Sequence, residues 1–246
     1  MSNEFPMRFP ALAAALLFTT ASTQASVLIG WNFSGLTGGT GAWGASPLAA
    51  TQTASGLSPS GLTRGHGVTT PFNVSVPSGC WGGTGFDGAG SAQQAALDGE
   101  YVSFSMTVAS GKSAQFDSIG AYNIRRDANG PAYGQWQYQI DSGAFTDIGF
   151  ILIWGTNYTA AGNAQSAVSL SGISALQAVG PNSTVTFRLV SWGALTSSGQ
   201  WFLNQHTAGS GLDLLVNGSV NPLVGPAPGA AGMLALAGLC VRRRRG

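Results

Sequence analysis

The chain has 246 residues, ten of them Lys or Arg and nine Asp or Glu, so its formal charge is +1 and only 8% of it is charged. Five basic residues and one acid lie at the two ends, leaving residues 26–228 with five basic against eight acidic groups, near −3. No basic patch remains there to neutralise phosphates, which argues against nucleic acid as a partner. With 37 Gly, seven Trp and twelve Phe, the chain still has enough aromatic area to bury a core.

Residues 11–21 are apolar, and Thr23-Gln24-Ala25 places small residues at the two positions that signal peptidase reads. A signal peptide over 1–25, cleaved between Ala25 and Ser26, is expected. Glu4 offsets Arg8, whereas a start at Met7 leaves Arg8 alone ahead of the apolar stretch, so translation is expected to begin at Met7. A β-domain over 26–221 and a sorting tail over 222–246 complete the expected organisation.

Within 26–221 the apolar residues alternate with period two, and long helical patterns are missing. Strands are expected at 27–33, 101–108, 118–126, 135–141, 145–154, 167–170, 184–192, 200–203 and 213–220. In 101–108, Val102, Phe104, Met106 and Val108 point one way. In 135–141, Trp136, Tyr138 and Ile140 share a face opposite Gln135, Gln137 and Gln139. Asp141-Ser142-Gly143 reads as a hairpin turn. Residues 35–59 read as a long surface loop, 92–97 as one or two helical turns, and 171–177 as a second short helix. About ten strands without crossover helices predict an all-β fold of antiparallel sheets closed as a sandwich.

Chemistry-bearing residues are few. Cys80 is the one cysteine of the β-domain, and it reads as a small buried hydrophobe rather than a reactive thiol. His66 and His206 are far apart, and neither zinc spacing nor a nucleophile elbow is present, so no catalytic residue is assigned. The acid pair Asp98/Glu100 offers a third-ranked hydrolase reading. Calcium is an alternative cofactor through Asp87, Asp117 and Asp213, although no loop motif supports it. A glycan-binding surface has more material: Arg125, Arg126, the amides of Gln135, Gln137 and Gln139, and Trp43, Trp81 and Trp201, which read as loop aromatics. One of the two arginines is expected to pair with Asp127 or Asp141.

The chain ends in Pro226-Ala227-Pro228, an apolar segment over 229–241, and Arg242, Arg243, Arg244 and Arg245 before the last Gly. Four guanidinium groups hold such a tail on the cytoplasmic side. Thirteen residues of helix reach about 20 Å against a bilayer core ~30 Å thick, short for a lasting anchor. This layout resembles the PEP-CTERM sorting signal of bacterial surface proteins, with Ala227 in place of the family's glutamate. Trp31-Asn-Phe-Ser-Gly35, Tyr122-Asn-Ile-Arg-Arg126, Gly134-Gln-Trp-Gln-Tyr138, Thr184-Val-Thr-Phe-Arg188 and Leu214-Leu-Val-Asn-Gly-Ser-Val220 are similar to exported proteins that carry this tail. The resemblance implies a jelly-roll sandwich, processing by exosortase near Pro226, Ala227 and Pro228, and a transient membrane contact through the C-terminal helix. The expected function is a structural or interaction role at the cell surface or matrix without catalysis. Carbohydrate binding to extracellular polysaccharide is the alternative.

Overall fold

A computed structural model describes residues 26–206 and 211–223. The signal segment with Ala25, the tail motif Pro226, Ala227 and Pro228, and Arg242, Arg243, Arg244 and Arg245 lie outside the described residues.

The fold is all-β and antiparallel. In chain order the strands are β1 (Ser26–Trp31), β2 (Gly39–Thr40), β3 (Gln52–Thr53), β4 (Leu57–Pro59), β5 (Thr63–Arg64), β6 (Ser75–Val76) and β7 (Cys80–Gly83). After helix α1 (Ala92–Asp98) come β8 (Tyr101–Val108), β9 (Lys112–Ile119), β10 (Tyr122–Arg126), β11 (Tyr133–Ile140) and β12 (Thr146–Ile153). The series closes with β13 (Asn163–Gln165), β14 (Val168–Ser169), a 3-10 turn at Ser174–Leu176, β15 (Thr184–Trp192), β16 (Trp201–Asn204) and β17 (Leu214–Pro222).

One layer is the six-stranded sheet, ordered β12-β11-β15-β8-β4 with β5 also on β8. Facing it are a five-stranded sheet, β14-β9-β17-β1-β3, and a four-stranded one, β13-β10-β16-β7. Aromatic side chains bridge the layers. Trp31 of β1 meets Phe104 of β8 at 4.8 Å between ring centroids, and Phe116 of β9 meets Phe187 of β15 at 5.6 Å. From the four-stranded sheet, Tyr122 stands edge-on to Trp136 at 5.9 Å and accepts its indole N–H at 3.0 Å. Period-two alternation therefore divides β8 and β15 cleanly: Val102, Phe104, Met106, Val185, Phe187 and Leu189 point inward.

The expected strand at 118–126 is two strands. Gly120 sits against the Leu215 side chain, and the chain turns there so that β9 joins β17 while β10 joins β16. The expected loop at 35–59 carries β2, β3 and β4, and buries Trp43, whose indole donates to the Pro71 carbonyl at 2.8 Å. The hairpin turn at Asp141-Ser142-Gly143 forms as its residues dictate: Asp141 is left-handed at φ 53°, and the Gly143 N–H donates to the Ile140 carbonyl at 3.0 Å.

Helix α1 forms because Ser91 caps its start, accepting the Gln94 N–H, and Gly99 ends it at φ 78°. Its small residues Ala92, Ala95 and Ala96 pack with Val190, Trp192 and Tyr101 on the outer face of the six-stranded sheet. The helix covers one part of that face and leaves a concave strip beside it.

Candidate functional site

That strip is a groove of about 440 Å³ between α1 and the β11–β12–β15 surface, lined by Gln93, Leu97, Gln137, Phe145, Asp147 and Arg188 among others. Strand register builds its floor. Gln137 lies opposite Asp147 on one side and opposite Arg188 on the other, and directly opposed residues share a face. The three side chains form one row. Arg188 donates through Nε to Gln137 Oε1 at 2.6 Å, and Gln137 in turn donates through Nε2 to Asp147 Oδ1 at 2.6 Å. The guanidinium carbon lies 3.6 Å from the centre of the Phe145 ring and 5.3 Å from that of Tyr101. Partial burial pulls the Arg188 pKa down, against the favourable pull of Tyr101 and Asp147. The guanidinium remains charged, because even a lowered arginine pKa lies far above neutral.

An amide held between a cation and a carboxylate, beside an aromatic ring, is a set of directional donors and acceptors suited to vicinal hydroxyls. Asp147 Oδ2 and the two terminal nitrogens of Arg188 have no hydrogen-bond partner among the described residues.

Of the eight side chains expected to bind glycan, only Gln137 lines this groove. Gln135 is buried, with its amide donating to the carbonyls of Trp136 and Ile148 at 3.2 and 2.9 Å, where the β11–β12 register shifts. Arg126 is buried too. Its two terminal nitrogens donate to the Gly155 and Gly130 carbonyls at 2.9 and 2.7 Å, and Tyr158 lies over it at 5.3 Å. Arg125 lies beside Cys80, on the opposite side of β10 from Arg126. Neither arginine takes the expected acid. Asp127 accepts from the backbone N–H groups of Asn129 and Gln200, and Asp141 from that of Thr184.

Trp81 and Trp201, expected on loops, are fully buried and present no face to a ligand, as is Trp43 within 3%. The glycines around Trp81 pattern as a turn, but they lie in strand β7. A Cβ on Gly82 would stand 2.0 Å from the Trp201 carbonyl, so this glycine permits strand contact rather than marking a turn.

The remaining titratable groups include one close pair, Asp98 and Glu100, whose carboxylates both approach Gly88. Cys80 is buried, donates to Asn204 Oδ1 at 3.0 Å, and burial pushes its thiol up to about 11 although Arg125 partly offsets this. Asp213 is consumed by the backbone N–H groups of Phe33 and His206, at 2.6 Å each, and Asp117 accepts the Gln115 amide. Among the described residues no group of three or more His, Cys, Asp or Glu is placed to hold a metal ion. Asp98 is held by the Gln94 amide, whereas Glu100 is only 3% exposed. One Glu100 oxygen accepts the Gly88 N–H at 2.8 Å and the other has no partner among the described residues. Burial raises the Glu100 pKa, and Asp98 and Asp87 add to the rise.

Arg188, Asp147 and Phe145 escaped the sequence reading. The Gln137–Asp147 pair follows from the Asp141–Gly143 turn once residues are counted outward from it. Arg188 stands at an outward position of an alternating strand, but its neighbour depends on long-range pairing that no local signal encodes. Comparison with known protein families, with curated proteins and with solved structures finds no match to the chain.

Proposed function

We propose that this chain is an exported, surface-sorted protein that acts by binding rather than catalysis, and that its groove engages extracellular polysaccharide. The observation carrying the reading is the row Asp147–Gln137–Arg188 beside Phe145 in an open strip of about 440 Å³. Sugar rings bind where an apolar plate adjoins fixed polar groups that match hydroxyl spacing. Against catalysis stands the burial of Glu100, which is 3% exposed with one oxygen on the Gly88 N–H, beside an Asp98 whose carboxylate is taken by the Gln94 amide. The export segment ending at Ala25 and the tail with Pro226, Ala227, Pro228 and the four terminal arginines support delivery to the surface by a PEP-CTERM-like route. The two-layer architecture is further proposed to follow a jelly-roll winding.

The test is affinity electrophoresis or calorimetry of the full chain against extracellular polysaccharides, comparing wild type with Gln137→Ala and Phe145→Ala. Saturable, sugar-competed binding weakened by both substitutions supports the reading. Binding that neither substitution alters removes the groove from it, and no saturable binding leaves only a structural role.

A further inference from the structure

Three of the four arginines in the described residues, Arg64, Arg126 and Arg188, divide into two kinds. Arg64 spends its donors on the backbone carbonyls of Gly82, Gly44 and Trp43, and Arg126 its two terminal nitrogens on those of Gly155 and Gly130. These two staple the fold. Arg188 is equally well fixed, by Gln137 at its Nε and by Phe145 against its flat face. Yet its terminal nitrogens have no hydrogen-bond partner among the described residues. The flat end of the guanidinium is thus held in place and left open in the groove.

Gln137 also keeps Asp147 from closing on that end, because its amide takes the carboxylate on one side and Arg188 Nε on the other. A planar pair of donors matches a carboxylate through two parallel hydrogen bonds. Next to it, the free Oδ2 of Asp147 accepts a hydroxyl, and Phe145 with the exposed Leu97 offers an apolar border. A ligand that fits carries one carboxylate on a ring with adjacent hydroxyls. Arg188 is the one cation among the lining residues and Asp147 its acidic neighbour. A dianionic phosphate would meet more repulsion there than a monoanion does.

We infer that the groove is a subsite for a uronic acid residue of an acidic polysaccharide, its carboxylate held by the open end of Arg188 and a ring hydroxyl by Asp147. This rests on the polysaccharide-binding reading above and names the sugar class.

The experiment titrates the full chain with polygalacturonate oligosaccharides, with the same oligosaccharides after reduction of the carboxylates to alcohols, and with sulfated dextran. The expected result is saturable binding of the uronate, at least about tenfold weaker after carboxyl reduction and weakened similarly by Arg188→Gln and Arg188→Lys. The Lys variant keeps the charge but not the paired donors, and changing the ligand leaves the protein's folding untouched. Equal affinity for native and reduced oligosaccharides overturns the uronate assignment while leaving polysaccharide binding in place. Sulfated dextran binding as tightly as the uronate, or Arg188→Lys binding like wild type, overturns the paired carboxylate contact. Absence of binding to any of the three overturns this inference, and if neutral and native extracellular polysaccharides also fail to bind, the broader reading falls with it.

Discussion

Arg64 offers a test of how a half-buried charge can hold a fold without an acidic partner. Its Nε donates to the Gly82 carbonyl at 2.6 Å, one terminal nitrogen to Gly44 at 3.2 Å and the other to Trp43, while the guanidinium lies 4.2 Å from the centre of the Trp81 ring. Burial depresses its pKa to about 10. The Trp81 indole donates to Ala45 at 2.8 Å, so Arg64 and Trp81 together pin residues 43–45 to β7. Arg64→Met removes three donors at once. Leaving a buried acceptor without a partner costs about 1–3 kcal/mol. The Gly44 contact is solvent-exposed and counts for little, so two carbonyls set the scale. Release from the cost of burying the charge offsets part of that loss. The net expectation is about 2–4 kcal/mol of destabilisation, or about 5–15 °C in Tm for a domain of this size. Thermal melts followed by circular dichroism measure the loss, and hydrogen exchange places it, with residues 41–46 opening first. Arg64→Lys is expected to recover only part of the stability, since an ammonium group lacks the planar fork. Arg64→Met melting within about 0.5 kcal/mol of wild type would refute the reasoning.

The Glu100 carboxyl has a raised pKa in the fold, so the native state holds more protons than the unfolded chain just above about 4.3, where free glutamate ionises. Stability from this group is therefore present at lower pH and is lost as pH rises through the raised value. Glu100→Gln is expected to flatten that slope and to be more stable than wild type at pH 8; chemical denaturation at several pH values decides, and an unchanged slope contradicts it. Cys80, with its thiol near 11, is expected to resist Ellman's reagent at pH 8 in a Cys240→Ser chain until denaturant is added, whereas labelling of the native protein within minutes would show an accessible thiolate. Replacing Pro226 and Pro228 by Ala is expected to leave an unprocessed precursor in an exosortase-bearing host, read by mass spectrometry. Peptides covering Met233–Val241 in protein released by unmutated cells would instead identify a retained anchor.

Much of the fold was legible because alternation is a local signal. The inward set Val102, Phe104, Met106 and Val108 of β8 is buried as expected, and Trp136 lies in the core as its face predicts. One cause of the differences is that glycine speaks both for turns and for close approach. At Gly82 and Gly120 a neighbouring backbone or side chain occupies the space of a Cβ; Gly82 patterns as a turn but lies in a strand beside Trp81, whereas Gly120 lies within an alternating run and yet marks the break between β9 and β10. Period two places Gln135 and Gln137 on the face opposite Trp136, as candidates for a ligand-binding surface. A register shift buries the first, and the row across β12, β11 and β15 buries the second to 8% exposure. The groove itself was only partly readable. Gln137 and Asp147 sit at matched distances from a recognisable turn, but Arg188 reaches them across 51 residues.

Hydrogen-exchange mass spectrometry of the full chain, with and without a saturating uronate-rich polysaccharide, tests the central claim most directly. Binding in the groove predicts protection confined to residues 92–98, 137–147 and the segment around Arg188. That protection should be absent in Arg188→Gln. The exposed apolar edge of β12, where Phe150 and Ile153 stand 92% and 72% exposed, should not change. Protection centred on that edge, or no protection anywhere under saturating ligand, would contradict the account.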